Sequence, residues 1–145
     1  MTTDMRAAVR RTVAVGTEIP AATLTVTRET VAMFCGAALD FAGPHRSRRI
    51  ARSVGLPDLI AHGALTTAKA LSVLNEWTGD PTAVVDSHAR YVKPVAVPDD
   101  DNGAVLVVSG VVTGRLDGNH IEVSLRVASP DGQELATIRA VVRLT

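Results

Sequence analysis

The chain has 145 residues, with 15 basic and 15 acidic side chains and so no formal net charge. This is enough chain for one domain with a real core and too little for two. The charge balance gives no reason to expect a nucleic-acid partner, since duplex binding rests on phosphate neutralisation. Hydrophobic residues make up 46% and aromatics 3%, which excludes a disordered chain and requires a core of Val, Ala, Leu and Ile. Cys35 is the single cysteine, so an internal disulfide is excluded and a cytoplasmic location is expected.

Residues 1–11 read as a basic N-terminal tail without the apolar stretch of a signal peptide, and residues 12–145 as one domain. No apolar run approaches the ~18 residues of a membrane span. Thr12–Val15 and Ala22–Thr27 read as short strands separated by Gly16 and Pro20. The second alternates Leu24 and Val26 with threonines, a half-buried pattern. Thr27 is placed to cap a helix over Arg28–Leu39, whose apolar face is Val31, Phe34, Cys35 and Ala38. A further helical turn or two is expected within Arg46–Val54, ended near Gly55 and Pro57.

Ala61–Trp77 is the longest helical segment, with wide apolar coverage from Leu65, Ala68, Leu71, Val73, Leu74 and Trp77. Such a helix is expected to be mostly buried, wrapped by a sheet. Gly79-Asp80-Pro81 stops it. Four strands follow, Ala83–Val95, Ala104–Arg115, Ile121–Ser129 and Gln133–Leu144, with turn residues at each reversal, as in Asp117-Gly118-Asn119. The order predicts an α+β domain whose antiparallel sheet rolls around the long helix.

The chemistry concentrates between Leu39 and Leu65. Asp40 precedes His45 by five positions across Gly43-Pro44, and Ala61-His62-Gly63 opens the long helix. A carboxylate and an imidazole on one ordered loop can form a proton-transfer pair. A helix start offers free backbone N–H groups to a developing oxyanion. Cys35 reads as a small buried hydrophobe, and His88 and His120 lack ligand spacing, so no metal site is expected. The arginines from Arg46 to Arg52, with Arg46, Arg48 and Arg49 foremost, either attract substrate phosphates or an acidic carrier or form a solvated helical face.

The blocks Asp40-x4-His45, Val54-Gly55-Leu56, Ile60-Ala61-His62-Gly63, Trp77-Thr78-Gly79-Asp80-Pro81 and Arg90–Pro98 occur in an order that resembles the MaoC-like (R)-specific hydratases and dehydratases of the hot-dog fold. Within that family the likeness is nearest to the B subunits of the mycobacterial (3R)-hydroxyacyl-carrier-protein dehydratases. The resemblance implies a single hot-dog domain acting as a homodimer or as a heterodimer with a related subunit. It implies a hydro-lyase that hydrates trans-2-enoyl thioesters or dehydrates (3R)-hydroxyacyl thioesters of coenzyme A or acyl carrier protein, with no cofactor. Asp40 and His45 would be catalytic, and Gly63 would supply the oxyanion-hole N–H. Arg46, Arg48, Arg49, Ala61 and His62 would lie against substrate, with His62 packing or hydrogen-bonding near the helix start rather than catalysing.

The loop departs from the family's Asp-x-Asn-Pro-x-His. Here Ala42 stands where the asparagine would order the loop, and the proline sits one place later. Three alternatives follow from that departure and from the fold. They are a substrate-holding subunit of a heterodimeric dehydratase, a dehydratase of a polyketide-type substrate, and a hot-dog thioesterase.

Overall fold

The computed structural model describes residues 13–144, so the tail and Thr12 lie outside the described residues. The elements run β1 (Glu18–Val26), α1 (Arg28–Ala38), α2 (Gly43–Arg46), α3 (Arg48–Ser53), α4 (Gly63–Thr78), β2 (Val84–Tyr91), β3 (Ala104–Arg115), β4 (His120–Ala128) and β5 (Glu134–Arg143). The strands form one antiparallel sheet in the order β1-β3-β4-β5-β2. This is a single hot-dog domain, the α+β architecture expected from the sequence. No described helix is long and apolar enough to cross a membrane.

Alternation decides which face of the sheet is buried. Leu106, Val108 and Val112 of β3, Ile121, Val123, Leu125 and Val127 of β4, and Ile138, Ala140 and Val142 of β5 are at most 1% exposed. They pack with Leu65, Ala70, Val73 and Leu74 of α4, and a one-residue slip in register would turn each strand's set to the opposite face. Full burial of a Leu or Ile stabilises by about 1.5–3 kcal/mol, so this layer holds α4 in the roll.

Several elements differ from the sequence expectation. Val13–Val15 are not a strand. Thr17 N–H closes a turn onto Ala14 carbonyl, and Gly16 N–H reaches Val112 carbonyl. The first strand begins earlier than expected, at Glu18, and contains Pro20. Proline is accommodated because β1 is an edge strand with a register shift between Ile19 and Ala22. The expected long strand Ala83–Val95 ends at Tyr91. Beyond it, Val95 and Val97 pair instead with the chain before α4, through Ala61 N–H to Val95 carbonyl and Val97 N–H to Leu59 carbonyl. The long helix starts at Gly63, not Ala61. It is buried on one side only, and Ala68, expected in the core, is exposed, as is Ala38 of α1. Two short helices divide the 43–53 stretch, so His45 lies on helix α2 rather than in a loop.

Candidate active site

Three local decisions bring the site together. Thr27 caps α1 by accepting from Thr30 N–H, and Arg28 ties its start to Asp58 at 2.7 Å and to Val97 carbonyl at 3.1 Å. At its other end Leu39 adopts the left-handed conformation (φ 52°), and Asp40 N–H returns to Cys35 carbonyl. The chain thereby turns off the helix axis, leaving Asp40 half-exposed. The Asp40 Oδ1 then accepts from Ala42 N–H at 3.2 Å, the local turn that a short acidic side chain makes with its own backbone.

Pro44 at the start of α2 presets the backbone for one helical turn. That turn is fastened to the strand-like segment before α4 on both sides. Ile60 N–H donates to Pro44 carbonyl at 3.1 Å, and His45 Nδ1 lies 2.9 Å from Ile60 carbonyl. A carbonyl only accepts, so Nδ1 carries the proton and Nε2 keeps the lone pair. His45 is therefore oriented as a base. Arg46 Nε donates to Phe41 carbonyl at 2.9 Å, closing the loop from below.

His62, the residue before α4, is 2% exposed. Its ring stacks on His45, with centroids 3.8 Å apart and planes at 23°. Its Nε2 lies 3.1 Å from Asp40 carbonyl and 3.9 Å from Asp40 Oδ2. Asp40, His45 and His62 each bring one ligand-type atom within 4.8 Å of the others. A metal ion must lie in the plane of each imidazole at about 2.1 Å. Two rings stacked nearly parallel do not offer that shared point, so the trio suits proton transfer better than metal holding.

Gly63 begins α4, and among the described residues no backbone group accepts from its N–H. It opens onto a cavity of about 370 Å³ that His45, Ala61, Thr66 and Tyr91 also line. A side chain at position 63 would meet the Tyr91 ring at 2.7 Å, which explains glycine there. Tyr91 is held over the helix start by a 2.9 Å hydrogen bond between its hydroxyl and Thr67 Oγ1. A second cavity of about 370 Å³ lies on the other side of His45, between Cys35, Phe41, Arg46 and Leu59.

The structure thus brings together Asp40, His45, Ala61, His62 and Gly63. Arg46 borders the second cavity. Arg48 is turned toward Asp58, at 3.5 Å, and Arg49 is exposed on α3; neither lines the two cavities described. Thr66 and Tyr91 were not singled out in the sequence. Tyr91 is the chain's single tyrosine, and in a sequence so poor in aromatics that rarity is the available signal.

In this hot-dog domain an imidazole and an uncapped helix start line one cavity, with an acid beside the imidazole. The chain belongs to the MaoC-like domain family, whose model matches residues 11–129. A solved MaoC-like dehydratase is 29% identical, with a TM-score of 0.85 over 94% of this chain. This chain spans only 42% of that protein's length. The (R)-hydratase from A. caviae involved in PHA biosynthesis superposes with a TM-score of 0.80 at 21% identity, covering 93% of this chain and 99% of that one. The HadBC (3R-hydroxyacyl-ACP dehydratase) complex of Mycobacterium tuberculosis gives a TM-score of 0.71 at 18% identity, covering 88% of this chain and 95% of the matched one. At such identities the last two likenesses establish the fold. No curated protein sequence matches the chain significantly.

Proposed function

We propose that the chain is a hydro-lyase that interconverts trans-2-enoyl and (3R)-hydroxyacyl thioesters. The observation that carries this is the 2.9 Å contact between His45 Nδ1 and Ile60 carbonyl, from which the tautomer follows. Nδ1–H is committed to Ile60 carbonyl, so the free Nε2 faces its chemistry as a base, with the Asp40 carboxylate beside it and the Gly63 N–H on the shared cavity.

In the dehydration direction His45 Nε2 takes the proton from C2. The electron pair moves toward the thioester carbonyl, whose oxygen accepts from Gly63 N–H at the positive end of α4. As the pair returns to form C2=C3, the C3–O bond breaks. Asp40, protonated in this direction, passes its proton to the departing hydroxyl directly or through water, and water leaves. Loss of one oxyanion donor costs about 3 kcal/mol in the barrier. The thioester itself acidifies C2, so the reaction needs neither metal nor organic cofactor.

The partner is a second hot-dog chain, identical or related. The outer edge of β2 is unpaired among the described residues, and Val85, Tyr91 and the following Val92 are about half exposed. Edge-to-edge pairing would cover this surface. Ala42 at the family's asparagine position favours one other reading, a subunit that holds substrate while its partner supplies the catalytic pair. The coarse part of the B-subunit likeness, pairing with a related chain, belongs to that reading. Arg46 remains the arginine best placed to meet a substrate phosphate or acidic carrier.

The test follows loss of the enoyl-thioester absorbance with purified protein. Short to long trans-2-enoyl chains would be offered on coenzyme A and on carrier protein, with Asp40→Asn and His45→Ala alongside. Hydration that both substitutions abolish is expected. A complex whose activity survives Asp40→Asn identifies a holding subunit, and release of free thiol instead identifies a thioesterase. A folded, silent wild type on both carriers overturns stand-alone hydration.

A further inference from the structure

We infer that His62 is the positioning residue that holds Asp40 and His45 in register. The inference rests on the hydratase reading above. His62 is only 2% exposed, yet its Nδ1 has no hydrogen-bond partner among the described residues. An imidazole so enclosed is an expensive way to fill space unless its other nitrogen is needed.

That nitrogen, Nε2, points at the Asp40 loop. The 3.1 Å distance to Asp40 carbonyl is a hydrogen bond, while the 3.9 Å to Asp40 Oδ2 is beyond reach of one. Because a carbonyl only accepts, the proton sits on Nε2. Cys35 Sγ, 3.7 Å from the same nitrogen, is a weak secondary neighbour. The bond fixes the Asp40 backbone, while the carboxylate is held separately through Oδ1, which accepts from Ala42 N–H. The face of the same ring supports His45 at 3.8 Å, with Phe34 tilted against it at 4.9 Å. One side chain thus contacts both members of the pair, and, contrary to the expectation that it lies against substrate, it lines neither of the two cavities described.

Two substitutions separate its two contacts. His62→Phe keeps a flat ring beneath His45 and removes the donor. His62→Gln removes the ring and keeps an N–H donor at a similar reach. For enoyl-thioester hydration, His62→Phe is expected to lower kcat about a hundredfold, the scale of an ångström-sized misplacement, with KM unchanged. His62→Gln is expected to recover most of that loss. A Phe variant as fast as wild type, or a raised KM with kcat intact, overturns the inference.

The wild-type tautomers provide a reading that needs neither activity nor a folded variant. Long-range 15N–1H correlation spectra are expected to place the proton of His62 on Nε2 and that of His45 on Nδ1. A proton on Nδ1 of His62 removes the bond to Asp40 and with it the proposal. If wild type hydrates no thioester, the hydratase reading fails by itself, and the His62 tautomer still decides whether the Asp40 loop is pinned as described.

Discussion

The two ends of α4 are built on opposite plans. At the C-terminal end the last turn is tied back on itself. Gly79 takes the left-handed conformation (φ 68°) and donates to Glu76 carbonyl, while Thr78 Oγ1 donates back to Leu74 carbonyl at 2.9 Å. At the N-terminal end no side chain caps the helix. His62 carbonyl takes both the N–H and the hydroxyl of Thr66, and Gly63 N–H is left for whatever enters the cavity. An ordinary helix start would carry a Ser, Thr, Asp or Asn cap, worth ~1 kcal/mol. Here that stabilisation is forgone where the proposed chemistry requires a donor and is collected where it does not.

Substitutions at the two ends sharpen this contrast. His45→Ala and Asp40→Asn are expected to reduce hydration about 10²–10⁴-fold, the usual contribution of a positioned acid or base, with cooperative melting retained. Steady-state kinetics and calorimetry would check this together. Gly63→Ala is expected to cost about 10²-fold in kcat, because the new methyl pushes the Tyr91 ring into the cavity next to the oxyanion donor. Adding Tyr91→Ala should return a good part of that rate, and a double mutant as slow as the single one would show that the crowding lies elsewhere. Gly79→Ala forces a side chain into the left-handed region and should lower stability by about 1 kcal/mol, leaving kcat alone. The smallest effect is expected at Leu39→Gly. Leu39 is 80% exposed with φ 52°, so relief of backbone strain, up to about 1 kcal/mol, is set against glycine's extra chain entropy. A denaturation midpoint level with or slightly above wild type is the result to look for.

What the sequence made legible followed the range of the interactions. The alternation in β4 and β5 marked buried faces because each strand reports its own environment two residues at a time. Asp40 and His45 stand out as candidates because they lie five positions apart, and Gly63 because it follows the Ala61-His62 start of a helical pattern. Pro20 misled because its tolerance depends on β1 being an edge, which only the assembled sheet decides. His62 is expected from the sequence to pack or hydrogen-bond near the helix start, and it does both, but its partners are not legible there. Its stack on His45 and its bond across 22 residues to Asp40 arise from how α1, α2 and α4 converge, and no window of sequence carries that. Tyr91 was missed for a related reason: its partner, Thr67, is 24 residues away on α4.

The chain contains one tyrosine and one tryptophan, and α4 keeps them apart. Tyr91 lies over Gly63, while Trp77 packs against the core near the helix's far end. The rise per residue separates those two stations by roughly 20 Å. The protein therefore carries two intrinsic chromophores with different assignments, one lining the cavity and one partly buried against the hydrophobic layer. Ultraviolet difference spectra of the phenol can follow occupancy, while indole emission follows unfolding, without a label and from the same cuvette.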